Sequence, residues 1–455
     1  MNRQLPGYKT LLLRGVMLSI ISIIAADTSL SQAVKMSGDL PNPYRIIQKY
    51  VSENNYLTPL LELKAKENDY LSSPMRPLYL ERMTVLESFV SNYREAYKYE
   101  DMFLADLPSA KSEREQNSAE LSDSPLKNYD AMDAVKSISA IAENEQVIMI
   151  NEEHRTPFHR AFTEMLLSDL YKHGFRYFAA EALSSSDIDL NKRGYPIQAT
   201  GFYTDDPVFA GLIRTAIKTG FKVVAYEYEE RCDPREEDPF FCQEVREKGQ
   251  AQNIYDRILK NDRDAKILVH AGRGHNAKSS FKEFSFMAWH FEKISKIEPF
   301  TIDQLEYSER FNRTHENPLY RYLTGRGLLE KPMVFKNVDG EFYGRSTGYD
   351  MRIFHPRMKF ENGRAAFLKM NGSKKPVRIQ VQRLEPEIRS AIFDEKEPLL
   401  IQAFFKDDSA DAVPTDQIII YSGEKIPPLM LPKGDFRIRI IDKTGKVLKV
   451  YMQRL

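Results

Sequence analysis

Gln146-Val147-Ile148-Met149-Ile150-Asn151-Glu152-Glu153-His154-Arg155-Thr156-Pro157-Phe158-His159 joins a short apolar run to the start of a helix. Gln146 to Ile150 has the unbroken apolar character of a buried strand. Thr156 and Pro157 supply an N-cap and a first helical position. Phe158, Ala161, Phe162, Met165, Leu166 and Leu170 then recur on one helical face, and Gly174 ends the helix. Phe175 to Ala180 is a second strand, running into Glu181.

The same punctuation repeats downstream. Asp206-Pro207 opens a helix with Phe209, Leu212, Ile213, Ala216 and Ile217 on one face, and Gly220 closes it. Phe221 to Tyr226 is a third strand, followed by Glu227-Tyr228-Glu229-Glu230. A helix from about Glu244 to Lys260 leads to a fourth strand, Lys266 to Val269, and then to His270-Ala271-Gly272-Arg273-Gly274-His275. Alternating strands and helices predict an α/β unit with a mostly parallel sheet flanked by helices.

The surroundings differ in pattern. The chain has 455 residues, enough for two or three domains. Arg3, Lys9 and Arg14 precede an apolar run, Gly15 to Ala26, and Ser31-Gln32-Ala33 offers a cleavage site before Val34. Residues 1–33 therefore read as a signal peptide, with an uncleaved anchor as the alternative. Export implies a secreted or periplasmic protein with no stable membrane span after cleavage. Residues 34–125 read as a helical region, Asn42 to about Leu107, and a polar linker, Ser109 to Ser124.

The α/β domain is assigned to 126–350 and a β-rich domain to 351–455. Strands are expected at Val377 to Val381, Leu399 to Phe405, Gln417 to Tyr421, Phe436 to Ile440 and Val447 to Met452. Phe436, Ile438 and Ile440 alternate with Arg437 and Arg439, as in a strand with one wet face. This tail reads as β-sandwich-like, a structural module or one that binds a protein partner. Cys232 and Cys242 are the two cysteines. An oxidising compartment would let them close a short disulfide loop; two free thiols are the alternative.

Charge excludes one class of partner. Lys+Arg and Asp+Glu both total 65, so no basic surplus points to nucleic acid. No Gly-x-Ser-x-Gly elbow follows any of these four strands, and the chain lacks His-Glu-x-x-His and a GxGxxG after its first strand, which disfavours a serine hydrolase, a zincin and a dinucleotide enzyme.

Ligands of open parallel sheets bind beyond the carboxyl ends of the strands. That rule selects Glu152, Glu153, His154 and His159, then Glu181, Glu227 and Glu229, then His270 and His275. Carboxylates beside imidazoles can share general acid/base duty. They can also hold a divalent cation, with His154, Glu181 and His275 as the ligand set. Gly272 and Gly274 permit a tight turn and close ligand approach. His173 precedes a helix-ending glycine and His290 follows Trp289 on an amphipathic helix, so both read as structural.

At these residues the chain resembles the superfamily of erythromycin esterases, ChaN-like haem-iron-binding lipoproteins and TIKI/TraB proteins. Asn151-Glu152-Glu153-His154, with Thr156-Pro157-Phe158-His159, resembles the first motif, closest to the ChaN-like branch; Asn151 replaces the usual Gly. Ala179-Ala180-Glu181-Ala182-Leu183 is similar to the family strand ending in Glu. Arg246-Glu247 with Ala251-Gln252-Asn253-Ile254 looks like its Arg-containing helix, although Gly249-Gln250 stands where Met is common. Ala271-Gly272-Arg273-Gly274-His275 resembles the terminal Gly-x-Gly-His segment.

The resemblance spans about residues 145–305. It implies a site of Glu152, His154, Glu181, Arg246 and His275. It also implies one of two chemistries. The first is hydrolysis of an ester or amide in a small-molecule or peptide substrate, with His154 as general base helped by Glu152, and with Arg246 and His275 beside the oxyanion. The second is binding of haem iron or a divalent metal, with His154, His159 or a nearby Tyr as ligand.

Overall fold

The computed structural model describes residues 40–107, 121, 125–233, 235, 238, 240–281, 284–379, 384–386, 389–390, 397–421 and 424–455. The signal segment 1–33 and most of the polar segment 109–124 lie outside them. The N-terminal helical region consists of α1 (Pro43–Val51), α2 (Leu57–Lys64), α3 (Glu67–Leu71), α4 (Arg76–Phe89) and α5 (Tyr93–Ala105). The α/β body begins with β1 (Tyr129–Asp133), α6 (Ala134–Ala142), β2 (Val147–Glu152), α7 (Pro157–Lys172), β3 (Phe175–Ala180), α8 (Leu190–Arg193), α9 (Pro207–Thr219) and β4 (Lys222–Ala225). It continues with α10 (Phe241–Ile254), β5 (Lys266–Gly272), α11 (Met287–Ser295), β6 (Phe300–Tyr307), α12 (Pro318–Gly325), β7 (Met333–Asn337) and β8 (Met351–Phe354).

These strands form one eight-stranded sheet in the order β1-β7-β8-β6-β2-β5-β3-β4. Pairing is parallel from β8 to β4 and antiparallel where β7 meets β8 and β1. Both faces of β2 are buried, as its apolar run predicts. Ile148 and Ile150 pack with Phe162, Leu166, Phe209 and Leu212 of α7 and α9. Val147 and Met149 pack with Ala251, Ile254, Met287 and Phe291 of α10 and α11. Each such fully buried large side chain contributes about 1.5–3 kcal/mol.

Local chemistry sets some helix boundaries and not others. Asp206 caps α9 by accepting from Val208 N at 2.7 Å, and Gly220 ends it at φ 109°. Thr156 occupies the N-cap position of α7 but makes no cap bond; its hydroxyl donates to Glu100 Oε2 at 3.3 Å. Tertiary packing thus takes the side chain that the helix start would have used. β5 also runs further than expected. It pairs with β2 through Asn151↔Ala271 and Glu152↔Gly272, so His270 lies inside the strand rather than after it. The sheet itself reaches past residue 350, because β8 pairs with β6.

The C-terminal part holds β9 (Phe360–Glu361), β10 (Arg364–Ala365), β11 (Lys375–Val377), β12 (Leu399–Phe405), β13 (Asp416–Ile420), β14 (Leu429–Leu431), β15 (Asp435–Ile441) and β16 (Val447–Arg454). All its pairings are antiparallel: β9 with β10, β11 with β14, and a four-stranded sheet β13-β12-β15-β16. Of the strand expected at Val377 to Val381, the last two residues lie outside the described ones. Ile401, Ile418, Phe436, Ile438 and Ile440 share a core with Leu429 and Leu431 of β14.

The opposite face of that sheet is drier than its alternation suggests. Leu400 and Ile441 join the core of the N-terminal helices, and Gln402 Nε2 donates to Asn54 O at 2.8 Å. The N-terminal helices therefore back the C-terminal sheet. Cys232 and Cys242 form a disulfide, with Cα atoms 5.6 Å apart, just where the chain enters α10.

Candidate functional site

Sheet order decides which strand ends meet. Glu152 ends β2 opposite Gly272 of β5, and Glu181 follows β3 with its N–H donating to His270 O at 3.2 Å. Glu227 follows β4 beyond Tyr226, whose hydroxyl donates to His270 O at 3.0 Å. The four carboxyl ends thus align along one edge. α10 lays Arg246 and Glu247 across it.

Two linked clusters result. In the first, Glu152 is 1 % exposed and accepts from His154 Nδ1 at 2.7 Å and His270 Nε2 at 2.9 Å. Arg160, in the first turn of α7, grips the same carboxylate through Nε at 2.6 Å and Nη2 at 2.9 Å, and reaches Asp206 at 2.8 Å. Burial would raise the Glu152 pKa, but Arg160 and His270, with the hydrogen bonds from the two histidines, hold it well below the usual carboxylate range. An ionised carboxylate only accepts, so His154 Nδ1 carries a proton and Nε2 of the neutral ring carries the lone pair. Burial opposes the His154 cation, yet the bond to Glu152 and the charge of Glu181 raise its pKa above 6.5.

In the second cluster, Glu181 Oε1 lies 2.6 Å from Arg246 Nη2 and 3.2 Å from His275 Nε2. Its Oε2 accepts from Gly272 N. His275 Nδ1 meets Glu247 at 2.8 Å. Against the effect of burial, Glu181 and Glu247 push the His275 pKa up to about 10, so the ring is cationic at neutral pH. Arg246 also binds Glu227 at 2.6 and 3.0 Å, and Gln250 supports that carboxylate.

The clusters meet at a cavity of about 120 Å³ lined by His154, Glu181, Arg246, His275, Tyr203 and Phe286 among others. His154 Nε2 stands 3.9 Å from Glu181 Oε1. Of the five residues expected at the site, four line the cavity and Glu152 lies directly behind His154. A Cβ at Gly272 would fall 2.5 Å from His154 Nε2 and 3.0 Å from Glu181 Oε2. Gly272→Ala should therefore displace the His154 ring while costing about 1–3 kcal/mol of stability. Thermal melts would check the cost; an unchanged melting temperature would count against this geometry.

His159 is not brought to the cavity. Its Nδ1 accepts from Glu153 N at 3.0 Å and its Nε2 meets Ser308 Oγ at 3.2 Å, while burial lowers its pKa to about 4. Both nitrogens of this neutral ring are occupied, which leaves no lone pair for haem iron. The metal set fits no better. Glu181 Oε1 sits between two cations, Glu181 Oε2 holds Gly272, and both His275 nitrogens face carboxylates. Among the described residues no group of three or more His, Cys, Asp or Glu is placed to hold a metal ion. The donor chemistry here suits proton transfer better than coordination.

His173 and His290 sit apart from the cavity, on Ser139 at 3.0 Å and Glu244 at 2.9 Å. Glu229 binds Ser185 on the surface. Sequence reasoning missed Arg160, the cap Asp206 as its partner, and Tyr203, whose ring stacks on His154 at 4.3 Å and 17°. One signal was available for Arg160: a cation in the first turn of a helix opposes the dipole there. Tyr203 left no such signal.

A neighbouring cluster joins the site to the N-terminal helices through Glu100. Arg155 meets Glu153 at 3.0 Å, Arg273 also pairs with Glu153, and both approach Glu100 of α5 at 3.6–3.9 Å. Burial and Glu153 push the Glu100 pKa up to about 7.

No family model matches the chain, and no curated protein matches it. Similar solved structures include the type III effector HopBA1, with 15 % identity and TM-score 0.30 over 42 % of this chain and 95 % of that one. The C-terminal region of Pasteurella multocida toxin, which has a thiol-protease-like catalytic triad, shows 11 % identity and TM-score 0.32 over 99 % and 67 %. RRSP, a MARTX toxin effector domain from Vibrio vulnificus CMCP6, has 14 % identity and TM-score 0.30 over 63 % and 70 %. Superpositions this loose carry no argument about chemistry.

Proposed function

We propose that the chain is an exported hydrolase of the erythromycin esterase/ChaN-like superfamily, acting on an ester or amide bond of a small-molecule or peptide substrate. The observation that carries this reading is the orientation of His154. Its Nδ1 is spent on ionised Glu152 at 2.7 Å, which leaves Nε2 as a base beside the cavity. His154 takes a proton from water as the water oxygen attacks the carbonyl carbon. The same proton then passes to the leaving oxygen or nitrogen as its bond to carbon breaks. Arg246, a quarter exposed at the cavity, supplies positive charge for the developing oxyanion. The carboxylates of Glu181 and Glu227 hold Arg246 in place.

Cavity size narrows the substrate. About 120 Å³ accepts a reacting group but not a whole drug-sized ligand, which needs about 300–1,000 Å³. The remainder of the substrate lies outside, over the loops that follow β3 and β4. Export is supported by the basic and apolar N-terminal segment and by the disulfide between Cys232 and Cys242. Among the described residues no helix is long and apolar enough to cross a membrane.

A screen of aryl esters, lactones, amides and peptides tests the reading. With an active substrate, kcat/KM should rise through a pKa above 6.5, because His154 works only when deprotonated and its partners raise its pKa. Glu152→Gln removes the hydrogen-bonding carboxylate that raises it. The acid limb should then move to lower pH while the plateau falls. A limb that stays put, or moves up, would rule out His154 as the titrating base.

A further inference from the structure

We infer that the turn from Phe202 to Asp206, anchored on the N-terminal helices, is the device that positions His154, with Tyr203 as the positioning residue. This rests on the reading of His154 as general base. The turn lies between β3 and α9 and forms a short 3-10 helix over Tyr203–Asp205. It touches the imidazole by two separate routes.

The first route is direct. Tyr203 stacks on His154 with ring centroids 4.3 Å apart and planes 17° from parallel. An imidazole held only through Nδ1 can still swing about that hydrogen bond. A ring laid flat against it removes the swing and keeps Nε2 on the side of Glu181. The second route runs through charge. Asp206 holds Arg160 at 2.8 Å, and Arg160 holds both Glu152 oxygens and His154 O, the last at 2.7 Å. The same five residues thus fix the ring face and the carboxylate that binds the ring edge.

The turn is in turn held from outside the α/β body. Phe202 packs against Tyr44 of α1 at 6.4 Å and Phe89 of α4 at 5.7 Å, with the Arg82 guanidinium 5.2 Å from its ring centre. Ser88 of α4 lies 3.2 Å from Asp206 Oδ2. Thr204, Asp205 and Asp206 are buried at 0 %, 1 % and 0 % exposure. The N-terminal helices therefore act on the site through this turn, and not merely as a cover for the C-terminal sheet.

The test reads the ring and needs no substrate. In full-length protein with ¹⁵N-labelled histidine, the Nδ1 proton bound to Glu152 should give an exchange-protected downfield resonance, assigned by its loss in His154→Ala. Tyr203→Phe, which keeps the ring face, should retain it. Tyr203→Ala should lose it at 25 °C with circular dichroism unchanged, and Phe202→Ala should lose it too, without touching His154 directly. Retention in Tyr203→Ala, or loss in Tyr203→Phe, overturns the proposal. Should Tyr203→Ala fail to fold, Phe202→Ala decides: loss supports the turn and retention overturns it. If the wild-type resonance behaves as stated but no substrate is cleaved, the hydrolase reading fails while the positioning role stands.

Discussion

His154→Ala is expected to lower hydrolysis by about 10²–10⁴-fold while leaving the fold intact. The size follows from the role: a positioned base contributes that much, and neither the neighbouring histidines nor Glu181 is free to replace it. His275 is cationic, with both nitrogens on carboxylates, and His270 is 1 % exposed behind Glu152. Glu181 has both oxygens committed, to Arg246, His275 and Gly272. Stability should change little, because the buried Glu152 keeps Arg160 and His270 as partners when His154 is gone. Initial rates and thermal melts on the same preparations separate the two effects. Full activity in the variant would falsify the mechanism.

The second large effect concerns Arg160, which is fully buried between Glu152 and Asp206. Arg160→Met leaves both carboxylates buried without their cation. Breaking one partner out of such a group costs about 3–5 kcal/mol, which urea denaturation would register as a lower midpoint at constant slope. The pH dependence has a definite sign. In the wild type the depressed Glu152 pKa contributes stability above its unfolded value, lost as pH falls through the folded one. In Arg160→Met, burial is opposed less strongly, so the pKa of Glu152 rises and that of Asp206, already raised by burial, rises further; protonation then relieves the charges left without their guanidinium. The deficit against wild type should therefore shrink as pH falls. Adding Glu152→Gln and Asp206→Asn should recover much of it, since the three groups act as a unit. A deficit under about 1 kcal/mol would mean that the triad contributes little to the fold.

Much of the α/β body was legible because its signals are local. Pro157, Asp206-Pro207 and Gly220 punctuate the helices through backbone chemistry that each residue carries with it. The continuous apolar run of β2 marks a strand buried on both faces. Strand-end reasoning then brings out Glu152, Glu181 and Glu227, because a parallel sheet presents its carboxyl ends together whatever the loops do. The pattern change at Met351 was a poorer guide. Short strands look alike, and only pairing with β6 assigns Met351–Phe354 to the main sheet.

The first motif shows the same division at single-residue scale. By itself the sequence determined that Glu152 and His154 stand at a strand end before a helix, since period and punctuation depend on neighbours alone. Tertiary structure decided what they are joined to. β5 pairs His270 with Ile150 of β2, from where its ring reaches Glu152, while His159, equally prominent in the sequence, turns to Glu153 and Ser308. Arg160, Asp206 and Tyr203 come to His154 from elements up to about fifty residues away, placed by the packing of α7, α9 and the N-terminal helices. Hydrogen-bond partners of a buried charge are chosen by that packing, because each must be within about 3 Å after every element has docked; no local pattern encodes that distance.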